Sequence, residues 1–151
     1  MCVTITNVTK MQQGAMPMEH VNPPRLGPAR GFSHATRAGD LVWTGGQTGS
    51  DEAGRIVSPG DLVAQFAQAV RNVGIALEAA GCRPEDAVKL TYYVTDVAGY
   101  RANLRPLGEA YRAVFGRHYP ASSLFQVAGL FDPEALVEIE CIAVRGGGGS
   151  G

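Results

Sequence analysis

The sequence predicts an α+β domain in which helices cover one face of a mixed β-sheet. Segments of alternating apolar and polar residues fall within 32–44, 87–95 and 119–145, and such alternation marks half-buried strands. Helical patterns near 58–81 and 96–116 separate them. Helices this few cover a single face of the sheet, which gives a two-layer domain.

Composition bounds what such a domain does. At 151 residues, 45% hydrophobic and 18% charged, the chain is one globular unit with a sizeable core. A net charge of -1 gives no electrostatic footprint for nucleic acid. Arg101, Arg105, Arg112 and Arg117 are spaced by apolar positions and read as a solvated helix face. Cys2, Cys82 and Cys141 are odd in number and lack paired spacing, which argues against disulfides and zinc. No apolar run approaches a membrane span, and no signal peptide is evident. A cytoplasmic protein without membrane attachment is expected.

Residues 3–8 (VTITNV) alternate with β-branched side chains and read as a strand. Residues 9–31 carry Gly and Pro without a period and read as an irregular surface segment. Residues 32–38 and 41–44 form a hairpin with Gly39-Asp40 at its turn. The second strand runs into Gly45-Gly46-Gln47-Thr48-Gly49, where glycines permit close approach by a ligand. No Lys-Ser/Thr follows at the spacing of a phosphate loop. Ser58 is the expected cap of the first helix, with Pro59 at its first position and Asp61 three residues on. Leu62, Phe66, Val70, Val73 and Leu77 form its apolar stripe, and Gly81 ends it. In the strand 87–95, Val88, Leu90, Tyr92 and Val94 share one face. The second helix runs from Asp96 to Gly116, with Leu104, Leu107, Tyr111, Val114 and Phe115 inward and a kink or restart at Pro106. His20, His34 and His118 are expected at the surface, and Trp43, Tyr92 and Tyr93 in core or sheet packing. Residues 146–151 (GGGGSG) read as a flexible linker outside the fold.

Residues 119–145 read as two strands joined by a short Asp-Pro turn. Apart from Glu138 and Glu140, the second strand is apolar on both faces. Helices cover one of those faces, so the other needs a partner chain. A carboxylate buried in such a strand acquires a raised pKa, which suits general acid–base chemistry near neutrality. The same-face neighbour Glu140 reads as structural.

Five blocks resemble the RidA/YjgF family of reactive intermediate deaminases: GFSHATRAGDLVWTGGQTG, AQAVRNVGIALEAAGCRPEDAVKLTYYVTD, GEAYRAVFG, PASSLFQVAGL and LVEIECIAV. They keep the family's order and spacing over residues 20–145, leaving 1–19 as an N-terminal extension. The resemblance implies a chorismate-mutase-like fold and a homotrimer with clefts between subunits. It implies a small-molecule ligand and neither a metal nor an organic cofactor. It places Glu138 where the family glutamate handles water and protons, and Gly46, beside Gly45, where a backbone contacts ligand. Phe32 stands at a frequent tyrosine, Gly108 at an asparagine and Leu124 at a cysteine, with Gln126 on the strand face of Ser122 and Leu124.

Ser122 stands where deaminating members carry a carboxylate-binding arginine. Hydrogen bonds to charged groups contribute about 1.5–3 kcal/mol, against about 0.5–1.5 for neutral ones. Serine does not replace a bidentate guanidinium. The resemblance therefore implies an enzyme acting on an imine, enamine or related C–N centre through Glu138 and Ser122, and the serine predicts that it is not a 2-aminoacrylate-type imino-acid deaminase. A specialised hydrolase, isomerase or cyclisation catalyst on the same fold, and a non-catalytic ligand-binding module, are the alternatives.

Overall fold

The computed structural model describes residue 14 and residues 16–148, and the strand expected at 3–8 lies outside them. Its elements, in chain order, are β1 (Met18–Val21), β2 (Ala35–Ala38), β3 (Leu41–Thr44), β4 (Gln47–Thr48), α1 (Leu62–Ala79), a 3-10 turn (Pro84–Asp86), β5 (Ala87–Val94), α2 (Val97–Ala102), α3 (Leu104–Phe115), β6 (Ala121–Gln126) and β7 (Val137–Val144). The strands form one seven-stranded sheet in the order β1-β2-β3-β7-β5-β6, with β4 also paired to β7. The β5–β6 pair is parallel and the other pairs are antiparallel. The sheet is mixed, as the sequence predicts.

The core lies between the sheet and the helices α1 and α3. Phe66, Val70, Val73 and Leu77 of α1 meet Val42, Leu90, Val94 and the inward residues of β7. Leu107, Tyr111 and Phe115 extend that core from α3. In β7 the alternation is complete: Val137, Ile139, Cys141 and Ala143 are buried, while Glu138, Glu140, Ile142 and Val144 are half-buried on the other face. Burying one such large side chain stabilises by about 1.5–3 kcal/mol.

Several local expectations change. Ser58 has φ +46°, in the left-handed region, and does not cap α1. Asp61 does, in extended conformation, accepting from Ala64 N. Gly81, at φ +84°, closes α1, with Cys82 N donating to Leu77 O at 2.9 Å. Val88 leaves the inner face because a β-bulge shifts the register between Ala87 and Lys89; it is 44% exposed. The helical region after Asp96 restarts at Asn103, which puts Pro106 in the first turn of α3, where its missing N–H costs nothing. Leu104 sits on the solvent side of that restart and is 59% exposed. Met18–Val21, within the segment expected to be irregular, pairs with β2 as an edge strand.

The largest change concerns β6 and β7. They do not form a hairpin but flank β5 on opposite sides. The connection over 127–136 crosses the end of β5, tied by Val127 N to Val94 O at 2.9 Å and by Thr95 N to Leu136 O at 3.1 Å.

The face of the sheet away from the helices is open. Leu41 and Val144 pair there, as do Trp43 and Ile142. Trp43 is 40% exposed and Phe125 52%. Trp43 therefore lies on an open sheet face rather than in the core. This face mixes the apolar Leu41, Trp43, Phe125, Ile142 and Val144 with Glu138, Glu140 and Lys89, and it matches the expectation of a sheet that helices cover on one side only.

Candidate functional site

Glu138 lies on the open face of β7, opposite Tyr93 on β5 and Thr48 on β4. Its carboxylate reaches over Gly46: a Cβ built there would collide with Glu138 Oε1. Gly45 is needed for a different reason, since its Cβ would stand 2.7 Å from the Ser33 carbonyl oxygen. The glycine pair thus makes room for a carboxylate on one side and a crossing backbone on the other.

Around this carboxylate is a hollow of about 530 Å³, walled by Phe32, His34, Gly45, Gly46, Gln47 and Phe131. Burial pushes the Glu138 carboxyl above its ordinary value, and Glu140 on the same strand face adds to the rise. Glu140 is tied down by Tyr93, whose hydroxyl donates to it at 3.0 Å. Glu138 has no ion-pair partner among the described residues.

His34 is not a surface residue; it is 7% exposed. Its Nε2 lies 2.6 Å from Gly27 O, and Nδ1 lies 3.4 Å from Gln47 Nε2. A ring protonated on Nε2 donates to Gly27 and accepts from Gln47. Gln47 also donates to Gly45 O at 3.2 Å. Phe32 packs edge-on against the ring at 5.2 Å. His118 is half-buried, with Nε2 2.7 Å from Ala87 O.

Two buried amides of α1 fasten the strands that carry the hollow. Asn72 Nδ2 donates to Thr48 O and Ser50 O at 3.0 and 2.9 Å. Gln65 accepts from Leu136 N at 2.8 Å and donates to Glu134 O at 3.0 Å. Sequence reasoning missed both; the signal was a polar residue beside the apolar stripe of a helix (Gln65 precedes Phe66, and Asn72 precedes Val73).

Ser122 is elsewhere. It pairs with Leu90, on the helix side of β6, so the sheet separates it from Glu138. It borders a second cavity of about 300 Å³ with Gly108, Arg112 and the tyrosines 92, 100, 111 and 119. Its hydroxyl donates to Pro120 O at 3.0 Å. Of the residues expected at the site, Phe32, Gly45 and Gly46 gather around Glu138, whereas Gly108 joins Ser122. Leu124 packs against the core, and Gln126 accepts from Val97 N at 2.9 Å at the start of α2. Neither of these two lines a cavity described here.

No cluster of His, Cys, Asp and Glu suited to a metal occurs among the described residues. No helix among them is long and apolar enough to cross a membrane.

The family model described as Endoribonuclease L-PSP matches residues 23–145. A goat (Capra hircus) protein named 2-iminobutanoate/2-iminopropanoate deaminase is 35% identical over 124 residues, 82% of this chain and 85% of the relative. The crystal structure of E. coli TdcF with bound serine matches at TM-score 0.72 and 31% identity, covering 84% of this chain and 98% of that one. A Thermotoga maritima structure described as a putative endoribonuclease matches at TM-score 0.74 and 30% identity, covering 84% and 97%.

Proposed function

The chain belongs to the endoribonuclease L-PSP family, the RidA/YjgF family, and from that membership we propose that it is a deaminase-like enzyme hydrolysing an imine or enamine through Glu138. The observation that carries this reading is the Glu138 carboxylate itself. It is half-buried, raised in pKa, free of a cationic partner among the described residues, and set against a glycine in a hollow large enough for substrate. A carboxylate so placed accepts a proton from water as the water oxygen bonds to the carbon of the protonated imine, and the C=N electron pair moves to nitrogen, which becomes a neutral amine. Protonated Glu138 then returns the proton to that nitrogen. The C–N bond breaks, ammonia leaves, and the hydroxyl gives its proton to the Glu138 carboxylate, which leaves the carbonyl product.

The full site forms between subunits, with the Glu138 hollow of one chain meeting the Ser122 pocket of another in a homotrimer. Two facts support this: the sheet keeps the two half-sites of one chain apart, and its open face is apolar at Leu41, Trp43 and Phe125. Glu138 and Ser122 then act on one ligand, and Ser122 binds it without charge. RNA cleavage is the weaker reading, because the net charge is -1.

The test is ammonia release from imines generated in situ by an amino-acid oxidase, for the unaltered protein and Glu138→Gln. General acid–base catalysis contributes about 10²–10⁴-fold, so the variant should lose at least about a hundredfold. Equal turnover by both proteins would refute the proposed role of Glu138.

A further inference from the structure

The Ser122 pocket holds one charged side chain, and it is a cation. Among the described residues that line it, Arg112 is charged and the rest are aromatic, aliphatic, glycine or serine. Arg112 forms no ion pair and no hydrogen bond through its guanidinium among the described residues. The one acid on α3, Glu109, is engaged by Arg105 at 3.4 Å. Arg112 comes one helical turn after Gly108. A Cβ on Gly108 would stand 3.2 Å from Arg112 Nη1 and 3.9 Å from its Cζ. The missing side chain at 108 is therefore what lets the guanidinium lie along the pocket.

The walls specify the rest of the ligand. Tyr111 and Tyr119 stack at 5.5 Å, and Tyr111 is fixed by its hydroxyl donating to His118 O at 2.5 Å. Burial pushes the phenols of Tyr92, Tyr100 and Tyr111 up, so they stay neutral and oppose no anion. Aromatic faces, phenol hydroxyls and one unpaired guanidinium suit a flat apolar body ending in a carboxylate.

We propose that Arg112 is the anion-binding residue of this pocket, and that the ligand it selects is an organic carboxylate with an aromatic or bulky apolar body. This assignment rests on the reading that the Ser122 pocket is part of the reaction cleft. Ser122 brings no charge; Arg112 supplies it from the adjacent helix. The substrate class shifts accordingly from the smallest imino acids to larger ones carrying an apolar side group.

The experiment is calorimetric titration of the full chain with 3-phenylpropanoate and with its neutral amide, 3-phenylpropanamide. The unaltered protein should bind the carboxylate about tenfold or more tightly than the amide, the margin expected of a charge-assisted pair. Arg112→Gln should erase that preference and leave amide binding within about twofold. Gly108→Asn, which crowds the guanidinium without removing it, should weaken the preference in part. Circular dichroism verifies that each variant is folded. Glu138→Gln should keep the preference although it loses turnover, which separates failure of this assignment from failure of the proposed chemistry. A carboxylate preference that survives Arg112→Gln, or an unaltered protein that binds neither probe or both equally, overturns the assignment.

Discussion

The Glu138 hollow and the Ser122 pocket lie on opposite faces of one sheet, and they are built differently. The hollow has side-chain walls, Phe32 and Phe131 among them, but backbone fixes the position of its carboxylate. Two glycines, the backbone crossing at Ser33 and a buried His34–Gln47 pair set where its carboxylate points. Buried amides on α1 hold its strands from behind. The pocket is made of side chains, chiefly tyrosine rings and Arg112, which has no ion-pair partner among the described residues. Geometry fixed by backbone tolerates no added atom, whereas a site lined by side chains accepts substitution and changes what it binds. The chemistry is expected to reside in the first region and the selectivity in the second.

That contrast can be broken most sharply at Gly46. Gly46→Ala adds an atom where Glu138 Oε1 now lies, so the carboxylate must move. Misplacement of a reacting group by about 1 Å costs on the order of a hundredfold, and ammonia release should fall by that amount with little loss of melting temperature. Retained turnover would mean that Glu138 need not stand where it does.

A smaller effect is expected behind the hollow. Gln65→Leu leaves Leu136 N and Glu134 O without their partners. Glu134 is exposed and water can reach its carbonyl, but the half-buried Leu136 N loses its partner; an unsatisfied buried group costs about 1–3 kcal/mol, so urea denaturation should show a loss toward the lower end of that range. An unchanged midpoint would show that water replaces the amide.

Glu138 itself yields a pH-dependent prediction. Its folded pKa is raised above the ordinary 4.5, so the folded chain holds this proton more firmly than the unfolded chain. The favourable contribution is fully present below that value and is lost as pH rises through the folded pKa. Glu138→Gln, neutral throughout, should therefore melt higher than the unaltered protein near pH 8. The difference should shrink toward pH 4. A difference independent of pH would contradict the burial of this carboxylate.

Least should change at Ser122→Ala, which removes a hydroxyl that is exposed and bonded locally to Pro120 O. Stability should stay within about 0.5 kcal/mol, as for surface substitutions generally, in a thermal melt. A loss several times larger would place Ser122 among the structural residues of β6.

Much of the fold was legible because it rests on short-range pattern. The α1 stripe, the Gly81 stop, the β2–β3 hairpin and the alternation of β7 all follow from local periodicity and turn chemistry. The misreadings share a physical origin in contacts distant along the chain. Val88 turns outward because β5 must bulge to keep register with β7. His34 is buried because the segment at Gly27 folds back over it. Residues 119–145 look like a hairpin, yet β5 inserts between the two strands, and nothing local to them records that insertion.

The sequence by itself determined an α+β domain with Glu138 in an apolar strand, because hydrophobic period is a property of the chain, and its matching blocks pointed to the family. The tertiary structure alone decided that Glu138 and Ser122 lie on opposite faces of the sheet and that Arg112 shares the Ser122 pocket. Strand order and helix rotation set those relations. Both arise from packing between segments far apart in sequence, which no local pattern encodes.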